Sequence, residues 1–334
     1  MSQTTSLALQ SDKPDIVPSF PVVINPEPGA PDAVAYVRNH KDRIEELVTE
    51  HGAVLLRGFD VREPGQFFDI ISQISTEILN YSERSSPRHA VSDRVYTSTD
   101  HPPDQNIELH AEQSYTLNWP CFICFFCHTR PGTGGNTPIA DNRRILSRLP
   151  KSLVERFEAH GILYQRTYTP GLGVSWQTAF QTEEPAQVEA FCKERDIDFH
   201  WDAEGRLKTK QYRSAFQHHP VTQEKLWFNH ALFFHVTSLE PHITEALIEA
   251  VGYENVPTNT FFGNGEPFSP EDLAAMRQAV AAEKRSFDWV KGDVLILDNM
   301  ICQHGRDPFS GERRIYTLMA RPYQSIRSPL TLRR

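Results

Sequence analysis

The chain has 334 residues and a formal net charge of −9, from 34 basic and 43 acidic side chains, which disfavours broad attraction to nucleic acid or to anionic lipid. With 39% hydrophobic and 23% charged residues, the composition is that of a folded globular protein and excludes a disordered one. Five cysteines without even spacing do not describe a disulfide framework and predict a reducing compartment. No apolar run approaches the roughly 18 residues that span a bilayer, and no leader-like segment opens the chain, so a cytoplasmic location with no membrane partner is expected.

Residues 1–20 are polar and proline-bearing, and read as a flexible tail. Asp32 opens a periodic segment (Val34, Val37, Ile44, Leu47, Val48) that ends at Gly52, which predicts one amphipathic helix with a cap at each end. A short buried strand follows at 53–56 and a second helix over 66–79. Between Tyr81 and Ile107, Ser, Thr, Asp and Pro predominate, which predicts a long loop holding one short strand at 94–97. The almost wholly apolar run 121–128 reads as a buried strand, and Gly132-Thr-Gly-Gly135 as the turn after it. Further helices are expected at 149–160, 185–196, 243–251 and 269–283, the last announced by Ser269-Pro270-Glu271-Asp272. Further strands are expected at 162–168, 227–236, 293–297 and 314–320. Strands with interspersed helices and no repeat argue for one β-rich core with helical decoration.

Three places carry a histidine two residues before a carboxylate: His40-Lys-Asp42, His110-Ala-Glu112 and His200-Trp-Asp202. On a helix, residues two apart point in nearly opposite directions, so the first pair cannot meet at one ion. In an extended segment they share a face about 6.6 Å apart, which converging ligands can close. A facial triad of two histidines and one carboxylate suits non-haem Fe(II), and it needs one more histidine from a distant strand. His304 follows an apolar strand ending in Asp298-Asn299 and is well placed to supply it.

His110-Ala-Glu112, Gly134-Gly-Asn-Thr-Pro138, Asp298-Asn299 with His304, and Arg313-Arg-Ile315 resemble the taurine dioxygenase and clavaminate synthase group of Fe(II)/2-oxoglutarate-dependent oxygenases. Ser86-Pro-Arg88, Val95-Tyr-Thr-Ser-Thr99, Ser114-Tyr115, Phe228-Asn229 and His304-Gly-Arg306 further resemble hydroxylases of the syringomycin-biosynthesis type. The resemblance runs from about Phe20 to Met319. It implies a double-stranded β-helix, a cupin-like jelly roll with peripheral helices and inserted lid segments, over a single domain at 21–334. It also implies His110, Glu112 and His304 as iron ligands, with Thr137 and Arg314 holding the distal carboxylate of 2-oxoglutarate. A bidentate guanidinium and a hydroxyl donor suit that carboxylate. Arg313, by strand alternation, is expected on the opposite face and outside the site.

The cofactor set implied is Fe(II) with 2-oxoglutarate and O2 as co-substrates. Halogenating relatives lack the carboxylate ligand; Glu112 is present, so hydroxylation is expected, with desaturation as an alternative. Relatives that act on free sulfonates or amino acids carry a second basic residue four positions after the oxoglutarate arginine. Here that place is Leu318. A leucine cannot pair with an acid, so the substrate acid is expected either to be masked, as in an aminoacyl thioester on a carrier protein, or to be bound by Arg88 or Arg321. The substrate class implied is an amino acid or a derivative in secondary metabolism. Sulfonate or carboxylate catabolism and a catalytically silent jelly-roll binding protein are the rival readings.

Cys121, Cys124 and Cys127 superficially resemble an iron-sulfur run, but residues three apart on a strand face opposite ways and the fourth cysteine is missing. They are expected in the core, with Cys192 and Cys302. His218, His219, His230 and His235 cluster in sequence; His235 is expected either to line the cavity or to sit in the core. The tryptophans, Trp289 among them, are expected to pack.

Overall fold

A strand buried on both faces reads as a continuous apolar run, and Asn118–Thr129 takes this position at the middle of the larger sheet. The computed structural model describes residues 15–17, 20–79, 90–92, 95–98 and 101–325. Eight strands form the larger sheet, in the order Asp15–Val17, Val22–Asn25, Ala53–Leu56, Val294–Asp298, Asn118–Thr129, Arg314–Gln324, Val95–Thr97 and Ala90–Ser92. All of its pairings are antiparallel except that of Val22–Asn25 with Ala53–Leu56. Alternation along these strands feeds two cores. Phe122, Cys124, Phe126, Tyr316 and Leu318 face an outer layer closed by the helices Ala33–Asn39, Lys41–His51 and Pro64–Ile74. Ile123, Phe125, Cys127, Ile315 and Met319 face an inner layer shared with Ala111, Ile139 and Cys302.

The inner layer is closed by a three-stranded sheet, Ile107–His110, Cys302–Arg306 and Ile139–Asp141, so the two sheets face one another as in a double-stranded β-helix. Between Asp141 and Val294 the chain inserts helices and a four-stranded sheet, Asp198–Trp201, Leu207–Arg213, Ile162–Tyr168 and Thr258–Phe262. Its side chains build a third core around Tyr164, Phe157, Trp227 and Phe262.

Several expectations need correction. The helix expected from Asp32 to Gly52 is two, Ala33–Asn39 and Lys41–His51, broken at His40, whose ring Nδ1 lies 2.9 Å from the Tyr36 carbonyl. The second helix stops at Ile74, and Ile78 instead bridges Ala320 as extended backbone. The strand expected over 227–236 is only Lys225–Trp227; beyond it the chain turns and enters the short 3-10 helix Val236–Ser238. Within the expected tail, Asp15–Val17 pairs with Val22–Asn25, while residues 1–14 lie outside those described. Parts of the expected long loop before Ile107 also lie outside them; its described part holds two short strands, Ala90–Ser92 and Val95–Thr97, where one was expected. Among the described residues, no helix is long and apolar enough to cross a membrane.

Candidate metal centre

The three candidate ligands meet. His110 closes the strand Ile107–His110 and is the direct cross-strand partner of His304 on Cys302–Arg306. One ligand atom from each of His110, Glu112 and His304 lies within 4.8 Å of the others, and all three residues are buried. His304 Nε2 is 3.9 Å from Glu112 Oε2, and the two imidazole centroids are 4.5 Å apart. Glu112 is not on the strand: it sits in the turn that follows, where Gln113 takes a left-handed backbone. The close approach of the two strands depends on Gly305. A Cβ there would stand 2.6 Å from the Ile107 carbonyl oxygen.

Backbone anchors orient these side chains. His110 Nδ1 lies 2.8 Å from the Glu108 carbonyl, so a proton held there leaves Nε2 as the free lone pair. Asn299 grips the Glu112 backbone from both sides, accepting from its N–H at 2.7 Å and donating to its carbonyl at 2.9 Å, and also donates to Pro120. Asp298 accepts from the Met300 and Ile301 amides and meets His219 Nε2 at 2.9 Å. These contacts shape the turn that delivers His304. The donor set is two imidazoles on adjacent paired strands and one carboxylate from the turn that follows, which fits Fe(II).

The place for an oxoacid differs from the sequence expectation. Thr137 is buried, and its Oγ1 accepts from Trp289 Nε1 at 3.1 Å and from Arg313 Nη2 at 3.5 Å. Arg313 also donates to the Gly135 carbonyl and to Ser98 Oγ, yet forms no ion pair among the described residues. Burial, reinforced by the charge of Arg306, lowers its pKa to about 10. Arg314 points the other way, with an exposed side chain paired to Glu312 at 2.6 Å. The strand therefore turns Arg313, and not Arg314 as expected, toward Thr137. Ile315 and Met319 pack in the inner layer and Tyr316 and Leu318 in the outer one, so odd-numbered positions face the site. The pairing also slips between Arg314 and Ile315, which face Thr129 and Cys127 and leave His128 as the extra residue. A half-buried guanidinium with no acid among the described residues, beside a threonine hydroxyl, fits a carboxylate ligand.

Leu318 also faces the outer layer, so it borders no substrate. Four residues after Arg313 comes Thr317, buried, whose hydroxyl donates to the Cys124 carbonyl at 3.1 Å. Arg321 is remote from the metal ligands: it pairs with Glu45 at 3.0 Å and lies over the Phe122 ring on the helix-covered face. Arg88 lies outside the described residues. His200 is exposed, while Asp202 binds Arg206, so that pair builds no site.

His230, not His235, adjoins the centre. It is 1% exposed, 5.6 Å from the His110 ring, and Ser114 Oγ meets its Nδ1 at 2.6 Å. Burial holds its pKa far below the usual imidazole range. His235 instead caps Val236–Ser238 and stacks on Phe268. The Phe228-Asn229 pair beside His230 marked this segment in the sequence, but its expected strand geometry hid which histidine turns inward. Trp289 had no sequence signal. All five cysteines are free and buried.

Residues 24–321 match the model of the family described as taurine catabolism dioxygenase TauD, TfdA family. The chain is 39% identical over 279 residues to dapdiamide synthesis protein DdaC of Enterobacter agglomerans, covering 84% of this chain and 85% of that one. It is 28% identical over 319 residues to a clavaminate synthase-like protein of Arabidopsis thaliana, covering 89% and 92%. Among solved structures it resembles PvcB of Pseudomonas aeruginosa, described as an Fe, alpha-ketoglutarate-dependent oxygenase from an isonitrile synthetic pathway. That likeness has a TM-score of 0.52 at 15% identity, over 90% of this chain and 85% of that one. AAD-2 in complex with Mn(II) and N-oxalylglycine gives 0.51 at 12% identity, over 91% and 96%. At such identities the structures speak for the shared jelly-roll fold.

Proposed function

Because the chain belongs to the TauD/TfdA dioxygenase family and is a non-haem Fe(II)/2-oxoglutarate-dependent dioxygenase, we propose that it hydroxylates a C–H bond of an amino acid or amino-acid-derived substrate in secondary metabolism. The observation that carries the choice of reaction is Glu112, buried within ligand distance of both histidines. Were iron held by these three side chains, the bidentate oxoacid and O2 would take the remaining positions, and none would be left for a halide. The pathway context rests on two relatives, one named for dapdiamide synthesis and one from an isonitrile pathway.

The roles assigned are these. His110, Glu112 and His304 hold iron, and Thr137 with Arg313 holds the distal carboxylate of 2-oxoglutarate. The chemistry supplied by iron, 2-oxoglutarate and O2 is oxidative decarboxylation to succinate and CO2, coupled to oxidation of the substrate. Glu108 fixes the His110 ring, and Asn299 fixes the Glu112 backbone, so neither ligand has to reorganise when metal arrives. Trp289 and Ser98 steady the two groups that face the oxoacid. The buried inner layer keeps water from the reacting centre. Residues 21–334 act as one unit in this reading, because the proposed ligands come from strands far apart in sequence.

Four residues after Arg313 the place of a second basic residue is taken by Thr317, while Arg314 and Arg321 are paired with Glu312 and Glu45, so the substrate acid is either masked on a carrier or bound from another element. The test supplies Fe(II), 2-oxoglutarate, O2 and chloride together with free amino acids or their carrier-bound thioesters, and measures succinate and product mass. A product heavier by one oxygen atom is expected. A chlorinated product would sink the assignment, and loss of two hydrogens would make the enzyme a desaturase.

A further inference from the structure

The inserted sheet has a buried face that is unexpectedly polar. On Ile162–Tyr168, Tyr164 and Arg166 are two residues apart and share a face. Directly across the pairing, Gln211 opposes Tyr164 and Thr209 opposes Arg166 on the same face. Tyr164 turns this face toward the metal centre, since its hydroxyl accepts from the His230 amide at 2.9 Å. Phe234 lies between: its ring is 5.0 Å from the His230 ring and 5.9 Å from Arg166 Cζ.

Arg166 is 9% exposed and, among the described residues, makes no hydrogen bond or ion pair; its Nε is buried without a partner. Its protein neighbours are the faces of Tyr168, at 4.9 Å, and Phe234. Aromatic faces recover only part of the hydration a guanidinium gives up. Gln211 Oε1, buried on the same face, likewise lacks a donor. One unsatisfied cation and one unsatisfied acceptor side by side match a carboxylate adjoining an N–H group.

We propose that Arg166 and Gln211 bind the head group of the substrate, the guanidinium taking a free carboxylate and the amide oxygen an adjoining N–H donor. This rests on the amino-acid reading above and decides its open alternative: the acid is bound from the inserted sheet rather than masked on a carrier. Arg166 is thus a specificity residue, held one aromatic ring away from His230.

The test is calorimetric titration of the Fe(II)- and 2-oxoglutarate-loaded protein, without O2, using free amino acids, their primary carboxamides and their carrier thioesters. Wild type should bind the best free acid on the order of ten- to a hundredfold more tightly than its carboxamide, the worth of a charge-assisted pair. In Arg166→Met that ratio should fall to about one, while Arg166→Lys keeps part of it. Gln211→Leu should reduce discrimination between the amino acid and its deamino analogue. Because ratios are read in three variants, misfolding of one does not close the test. An acid preference that survives Arg166→Met, equal weakening of acid and amide, or tighter binding of the thioester overturns the proposal alone. A panel in which nothing binds or raises succinate release overturns the amino-acid reading with it.

Discussion

Exchanging the two neighbouring arginines for methionine separates the roles that strand register gives them. Arg313 is half-buried beside Thr137 and pairs with no acid among the described residues, whereas Arg314 lies in solvent with Glu312, both side chains more than half exposed. Removing one member of a buried, hydrogen-bonded charge pair costs about 2–5 kcal/mol, so Arg313→Met should raise the KM for 2-oxoglutarate roughly thirtyfold to several thousandfold. An exposed pair contributes about 0–1 kcal/mol, so Arg314→Met should change it less than about fivefold. The assay is succinate release over a range of 2-oxoglutarate, with calorimetric binding to the Fe(II)-loaded protein without O2 as the second readout. Methionine keeps most of the side-chain volume, and melting temperatures of both variants control for folding. A large KM effect in Arg314→Met with little in Arg313→Met would refute the register argument and restore the reading from sequence.

Three further outcomes follow from the same geometry. Asn299→Ala strands the Glu112 amide and carbonyl and the Pro120 carbonyl. It should cost on the order of 3–5 kcal/mol in urea unfolding and weaken iron binding about 10- to 100-fold, and unchanged iron affinity would remove its positioning role. His235 has its pKa lowered to about 4, first by burial and then by Arg277. The unfolded chain then takes up a proton from about pH 6.5 downward while the folded one does not, so stability falls with pH, by about 2 kcal/mol from this group at pH 5. His235→Asn keeps an acceptor for the Thr237 amide, and its unfolding free energy should lose about 2 kcal/mol less than wild type between pH 7 and 5; parallel curves would contradict this. Burial pushes the Cys121 and Cys127 thiols up to about 12 and raises Cys124 and Cys302 as well. Iodoacetamide at pH 8 should leave the native protein unlabelled over hours and alkylate all five cysteines in guanidinium; rapid stoichiometric labelling of native protein would show that the core opens.

What could be read in the sequence and what could not divide along physical lines. Continuous apolar runs and well-capped helices were legible: the strand Ile162–Tyr168 falls where expected, and Pro270–Glu283 follows the cap at Ser269. The ligand trio was legible because His110-Ala-Glu112 and His304 resemble a family motif, and the structure brings the three within reach of one ion. Tertiary pairing was not legible. The strand Leu207–Arg213 carries Lys208, Thr209, Lys210 and Gln211 and looks like a loop, yet it is held between two partners. The segment after Trp227 is aromatic enough for a strand, but it turns to bring His230 beside His110. Parity at Arg313 was misjudged for a similar reason. A shift of one residue moves every side chain to the other face, and only the partners of Ile315 and Leu318 reveal which face is inner.

That shift also relocates the question of the substrate. Leu318 borders the outer layer, so its apolar character says nothing about the substrate's charge. Two arginines, Arg306 buried and Arg313 half-buried, lie near Thr137 and Phe309 instead, and they differ in how they are satisfied. Arg306 is consumed by the carbonyls of His101, Pro102 and Gln105, which tie the segment before Ile107 to the strand that carries His304. Arg313 is met by one carbonyl and two hydroxyls, so it retains charge for a ligand. With Arg306 committed to structure and Arg313 assigned to 2-oxoglutarate in the proposed function, neither of these two is left for a second acid. On the proposed reading a substrate carboxylate is met instead by Arg166 of the inserted sheet, whose Nε is buried without a partner among the described residues.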